Sequence, residues 1–157
     1  MRRVQSRFDK SRIRAWWSDV LLKTAFDEIR ADALIDTGSA HTVLPAAFLQ
    51  ELGLQEPAFD GPWVNSSLGS GRSAILSVNV GLADLKRSAQ MDVFILESER
   101  SDFDFVLVGI DFLDQVGALL QFGAKREMAG IRQEPPEGVP VIEIPLPIFD
   151  EGFVRRE

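Results

Sequence analysis

The sequence predicts a mostly β domain with one or two short helices, and three observations carry that expectation. Apolar and polar residues alternate with a period of two from Val20 onward, the repeat of a half-buried strand. The later apolar runs are short and bracketed by Gly, Ser, Asn and Asp, as hairpin-linked strands are. Only two segments carry helix signals, and both are brief: Ala46–Gly53 and Asp111–Val116.

Along the chain, Val20, Leu22, Thr24 and Phe26 fall on one side of a first strand, and Asp27-Glu28 supply turn material. The returning arm sets Ile29, Ala31, Ala33 and Ile35 on one face and Arg30 and Asp32 on the other. It delivers Asp36-Thr37-Gly38-Ser39 as a polar loop at the end of a buried strand. Thr42-Val43-Leu44 resumes the apolar run, and Ala46–Gly53 reads as a short helix with Pro45 in its first turn and Gly53 at its end. A second hairpin is expected between Gly61 and Val80, with Trp63-Val64 and Ala74–Val80 as arms about a small, polar tip, Ser66–Gly71. Strands follow near Met91–Leu96 and Phe105–Val108, then the helix Asp111–Val116, then a hairpin of Ala118–Phe122 with Lys125–Ile131 about Gly123-Ala124.

Five prolines, Pro135, Pro136, Pro140, Pro145 and Pro147, interrupt the last stretch. Proline cannot donate to a ladder and is confined to sheet edges. Arg132–Gly138 therefore reads as a linker, and Val139–Ile148 as an extended segment that adds to an edge or to a partner. The chain divides into a basic N-terminal tail over residues 1–18, a domain over 19–131 and a Pro-rich extension over 132–157.

At 157 residues, 45% apolar and 26% charged, the composition is that of one globular domain. The absence of cysteine excludes disulfide frameworks, Cys-based zinc sites, iron–sulfur clusters and a cysteine nucleophile, and the lone His41 excludes His-rich metal sites. No metal and no cofactor is expected. A net charge of −7 makes the chain a poor partner for nucleic acid. The basic residues are concentrated at the start, where Arg2, Arg3, Arg7, Lys10, Arg12 and Arg14 face only Asp9, and they are read as a solvated tail. The longest apolar run, Phe105 to Ile110, falls far short of the roughly 18 residues of a membrane span. A soluble, cytoplasmic protein is the expectation. Gly69 and Gly71 do not make a phosphate loop, because no Gly-Lys-Ser/Thr follows and the next segment alternates like a strand.

The chemistry rests on Leu34-Ile35-Asp36-Thr37-Gly38-Ser39 followed, much later, by Val106-Leu107-Val108-Gly109 and Ile110-Asp111-Phe112-Leu113. An Asp-Thr-Gly triplet by itself is a common way to end a strand. In this order and context the two motifs resemble those of the retropepsin-like aspartic proteases, over roughly Val20 to Ile131, with the Gly-tipped hairpin in the place of the flap. The resemblance implies a closed β-barrel that supplies one catalytic Asp per chain, and hence a homodimer acting on a peptide or protein substrate. It implies Asp36 as the catalytic carboxylate, Thr37 as the lock between two loops across the dimer axis, Gly38 as the point of close backbone approach, and Ser39 as a hydrogen-bond donor to the carboxylate. Ala40, His41, Ile110 and the flap residues Ser67, Leu68, Gly69, Ser70 and Gly71 would face substrate, and Gly109 would let the second strand pack beneath the loop. Retroviral members usually carry an acid where Ala40 stands and an Arg where Ile110 stands. Both partners of that ion pair are replaced together here, which is far less costly than losing one.

Three other readings compete. A Ser39–His41 hydrolase has no Gly-x-Ser-x-Gly elbow to expose its nucleophile. A non-catalytic β-barrel module for dimerisation or peptide capture has the intact Asp36-Thr37-Gly38-Ser39 against it, and a tethering adaptor has only the basic start in its favour. Asp111 is expected to cap the helix it begins.

Overall fold

A computed structural model of the chain describes residues 1–12, 16–66, 69–83, 85–97, 104–122 and 141–144. Among the described residues, ten strands and two short α-helices follow one another: β1 (Arg2–Val4), β2 (Trp16–Lys23), β3 (Glu28–Ile35), β4 (Val43–Pro45), α1 (Ala47–Glu51), β5 (Trp63–Ser66), β6 (Gly69–Leu82), β7 (Arg87–Leu96), β8 (Val106–Val108), α2 (Ile110–Gln115), β9 (Leu119–Phe122) and β10 (Val141–Ile144). A 3-10 turn, Lys10–Arg12, lies between β1 and β2.

Six of the strands close on themselves in the order β3-β2-β6-β7-β4-β8, and β8 returns to β3. Closure removes most of the free edge that is the usual liability of a β structure, although the short β8 covers only Ala33–Ile35 of β3. Its longest seam is the antiparallel pairing of β6 with β7, from Ser73 opposite Leu96 to Leu82 opposite Arg87. The closing seam is parallel, with Ala33, Leu34 and Ile35 opposite Val106, Leu107 and Val108.

Burial follows the strand period. Val20 and Leu22, Ile29, Ala31, Ala33 and Ile35, Val78 and Val80, Val93 and Ile95, and Val106 and Val108 point into one core together with Phe48, Leu49, Leu52, Phe112 and Leu113 from the helices. The intervening residues Leu34, Val43, Leu96, Phe105 and Leu107 are buried as well, in a second layer that Phe8, Trp17, Val64 and Phe94 cover. The end of β3 and the whole of β8 are thus apolar on both faces, which is why Leu34-Ile35 and Val106-Leu107-Val108 are unbroken apolar runs.

Both helices end in the same way. Leu54 N donates to Leu49 O at 2.8 Å and Gly53 N to Gln50 O at 3.1 Å, while Ala118 N donates to Leu113 O at 2.8 Å and Gly117 N to Asp114 O at 3.0 Å. These are Schellman closures, and their pivots Gly53 and Gly117 have φ of 70° and 64°.

Several expectations need correcting. The first hairpin turns earlier than Asp27-Glu28: Phe26 N and Asp27 N both donate to Thr24 Oγ1 at 3.2 Å, which halts the alternation at Lys23 and turns Phe26 outward, 76% exposed. Pro45 closes β4, opposite Leu96, and does not open α1. The basic start is not a solvated tail. Arg2, Arg3 and Val4 pair in parallel with Ile29, Arg30 and Ala31, because β3 has an open edge there and acidic side chains alongside it. Residues 141–144 of the Val139–Ile148 segment pair in parallel with β9 as a separate two-stranded sheet, not on an edge of the barrel. The arm Lys125–Ile131 lies outside the described residues. Among the described residues no helix is long and apolar enough to cross a membrane.

The two fully placed aromatic extremes give a test of this packing. Phe112→Ala, in the main core at 0% exposure, should cost about 3–5 kcal/mol of unfolding free energy. Phe26→Ala should change it by no more than about 0.5 kcal/mol. Denaturant titration of both variants measures the contrast, and equal losses would contradict the core described here.

Candidate active site

Asp36 follows directly on β3. Its N–H donates to Val108 O at 2.9 Å, which carries the β3–β8 ladder one residue beyond the strand ends. The chain then turns: Ser39 N donates to Asp36 O at 3.1 Å, and Gly38 N donates to the Asp36 carboxylate, at Oδ1, at 2.9 Å. A backbone N–H bonded to one carboxylate oxygen restricts the rotamers open to the side chain. Asp36 itself is half-buried, and Thr37, Gly38, Ala40 and His41 are exposed.

Past the turn, the loop is tied to the segment after β8 at three points. Ile110 N donates to Ser39 O at 2.9 Å. The Thr42 hydroxyl accepts from Gly109 N at 3.2 Å and donates to Asp111 Oδ1 at 2.7 Å, and Thr42 N donates to Asp111 Oδ2 at 2.9 Å. Thr42 is fully buried, so its polar atoms need these partners. Phe94 N closes the arrangement from β7 by donating to Thr42 O at 3.1 Å.

Such ties require the two chain segments to touch, and Gly109 is what lets them. A Cβ at that position would lie 2.5 Å from His41 O, 2.6 Å from His41 C and 2.8 Å from Ser39 O. Its φ is −95°, so the requirement is for space and not for an unusual backbone. At Gly38 the added Cβ would meet Asp36 Oδ1 at 3.2 Å, a tighter contact than side chains normally accept.

Gly109, not Asp111, occupies the cap position of α2, but the Asp111 carboxylate still serves the helix start: its Oδ1 accepts Phe112 N of the first turn at 2.8 Å while the same carboxylate holds Thr42. Ser39 also departs from its expected role, because its hydroxyl donates to His41 O at 2.7 Å and its one proton is therefore not directed at Asp36. The His41 ring stands edge-on to Phe94 with centroids 4.7 Å apart, and Ile110 is 47% exposed on the same loop cluster. Between Ser39 and His41 the bond runs to a backbone carbonyl, which is no nucleophile–base pair.

The second hairpin is built from β5 and β6, whose arms pair from Trp63 opposite Arg72 to Ser66 opposite Gly69. Ser67 and Leu68 lie outside the described residues, and Gly69 and Ser70 are described by their strand pairing. Gly71 stands opposite Val64. Val64 packs in the layer that holds Leu34 and Phe94, so the base of this hairpin and the loop's supports share one apolar cluster. Thr42 escaped the sequence reading, although a polar residue entering the apolar run Thr42-Val43-Leu44 signals a buried hydroxyl in want of a partner. Among the described residues no group of three or more His, Cys, Asp or Glu side chains is placed to hold a metal ion.

No family model matches the sequence, and no curated protein matches it. Among solved structures, the chain is similar to the EIAV protease complexed with the inhibitor HBY-793, at 20% identity and a TM-score of 0.46, over 68% of this chain and 92% of that one. It is similar to a retropepsin-like aspartic protease from Rickettsia conorii, at 12% identity and a TM-score of 0.48, over 64% and 70% of the two chains. The solution structure of the simian foamy virus (mac) protease matches at 16% identity and a TM-score of 0.38, over 63% of this chain and 92% of that one.

Proposed function

We propose that this chain is a retropepsin-like aspartic endopeptidase that works as a homodimer, hydrolysing peptide bonds with a water activated between two Asp36 carboxylates. The observation that carries this reading is the Asp36-Thr37-Gly38 turn, held on a barrel seam with its carboxylate oriented by Gly38 N and its outer residues exposed. Two such turns meeting across a two-fold axis would bring like charges together. Both cannot ionise at once, so one Asp36 keeps its proton. The ionised copy takes a proton from water as the oxygen attacks the peptide carbonyl, and the protonated copy gives its proton to that carbonyl oxygen. Identical residues thereby assume unequal roles.

An extended peptide suits a site made of strand ends, with main-chain hydrogen bonds supplying affinity and pockets reading alternate side chains. Exposed His41 and Ile110 would line that path, along with Ala40 and the hairpin Ser67, Leu68, Gly69, Ser70 and Gly71 from above. Thr37, exposed beside the carboxylate, is available to meet its copy across the axis.

Asp36→Asn should lower cleavage of a peptide library by roughly 10²–10⁴-fold while leaving the fold and the dimer intact. Equal inactivity of both forms would favour the binding module instead. Gly109→Ala should push the loop outward, cost about 1–3 kcal/mol of stability and abolish turnover, as denaturation and rate measurements would record. Because the Ser39 hydroxyl serves the His41 carbonyl, Ser39→Ala should cost about 1 kcal/mol and leave both limbs of the pH–rate profile in place. An optimum displaced to higher pH would mean that the hydroxyl turns to Asp36 in the active dimer.

A further inference from the structure

The N-terminal arm is joined to the barrel at the base of the seam that carries Asp36. β2 occupies the whole of one edge of β3, from Glu28 to Ile35. The other edge is shared: β1 reaches Ala31, and β8 begins at Ala33. Asp32 sits between them at 1% exposure, and its carboxylate accepts Arg3 at 3.0 Å, Ser6 N at 2.8 Å and Lys10 at 2.8 Å. Asp104, two residues ahead of β8, accepts the Ser6 hydroxyl and, at 2.6 Å, Arg7 N. Ser6-Arg7 therefore spans from β3 to the entrance of β8. Phe8 then packs on Phe105 and Trp17, with centroids 5.1 and 5.9 Å away, and the Lys10 ammonium stands 5.7 Å from the Trp17 ring centre.

We propose that residues 2–10 are a releasable clip, latched on Asp32 and Asp104, which ties together the two strands holding the Asp36 loop and opens when Asp32 is neutralised. The inference concerns the fold whether or not Asp36 cleaves peptides.

Charge around the latch supports it. Asp19 on β2 stands directly opposite Asp32, an arrangement of like charges that destabilises a strand pair. Arg3 lies between them, 3.0 Å from each carboxylate, and Arg30 holds Asp19 from the other side at 2.6 Å. Lys10 is the other cation on Asp32. Burial pushes the Asp32 carboxyl up, but Lys10, the Ser6 amide and Arg3 together outweigh it and hold it below its ordinary value. A carboxyl lowered on folding stabilises fully above its unfolded value and loses that contribution as pH falls through the folded one. The clip is therefore closed at neutral pH and opens in acid, below the usual carboxylate range.

Hydrogen exchange on the full-length protein tests the tie at neutral pH. In the double variant Ser6→Ala/Phe8→Ala, amides of residues 29–36 and 106–108 should exchange about tenfold faster or more, while those of 74–82 and 91–96 on the far wall keep their protection. Unchanged exchange at the seam would overturn the proposal, and so would an equal rise on both walls. In an acid titration, tryptophan emission should change before far-UV circular dichroism does, and the separate step should vanish in Asp32→Asn. Emission and circular dichroism moving together in the wild-type chain would show that the arm has no opening of its own.

Discussion

The absence of a side chain at position 109 is the constraint on which the rest of the site depends. The backbone of residues 39–41 lies so close to Gly109 that no Cβ fits between them. That closeness puts Ile110 N within reach of Ser39 O and Gly109 N within reach of Thr42 Oγ1. A loop fixed by its own turn would hold Asp36 only as well as one Asx-type hydrogen bond allows. Here two strands and a helix start hold it from beneath, and the outer face is left open. Preorganisation of this kind places the reacting group before any ligand arrives, so that binding need not supply the ordering.

The same seam explains how a small barrel affords two apolar layers. β8 and the last residues of β3, Ala33–Ile35, lie between the main core and the layer of Leu34, Val43, Leu96, Phe105 and Leu107, buried on both faces. Strands buried on both sides have little freedom to slide, because a one-residue slip would exchange the contents of the two layers. Phe8, Trp17 and Phe105 close the outer layer with edge-on ring contacts, Trp17 and Phe105 at 4.9 Å and 81°. The N-terminal arm is thus part of the packing around the seam.

Much of this was legible in the residues. The alternation of Ile29, Ala31, Ala33 and Ile35 located β3, the paired apolar runs located the seam, and Gly53 marked a helix end. What was not legible depended on partners remote in sequence. Nothing within the first fourteen residues says that an acid at position 32 is buried and waiting for Arg3 and Lys10, so a run of cations read as a solvated tail. Thr24 ended a strand early because its hydroxyl accepts the amides two and three residues on, a local preference that an alternating pattern conceals. Asp111 stood where a helix cap is expected and does accept the Phe112 amide of the first turn, but its second duty, to a buried Thr42 hydroxyl and amide 69 residues away, has no local signal. Ser39 was assigned by analogy to the nearest carboxylate, and a nearer carbonyl took its proton.

That long separation in sequence has a kinetic meaning. The antiparallel hairpins β2–β3 and β6–β7 need only short loops to form, whereas the parallel return of β8 to β3 must wait until nearly the whole barrel sequence is available. Contacts that close so large a loop come late, after the local pairings have offset part of the entropy they cost. A chain still emerging, or one arrested partway, has its Asp36 turn but not the floor beneath it. The fixed position of the Asp36 turn is consequently a property of the finished barrel, and an unfinished chain carries that carboxylate on a loop without its supports.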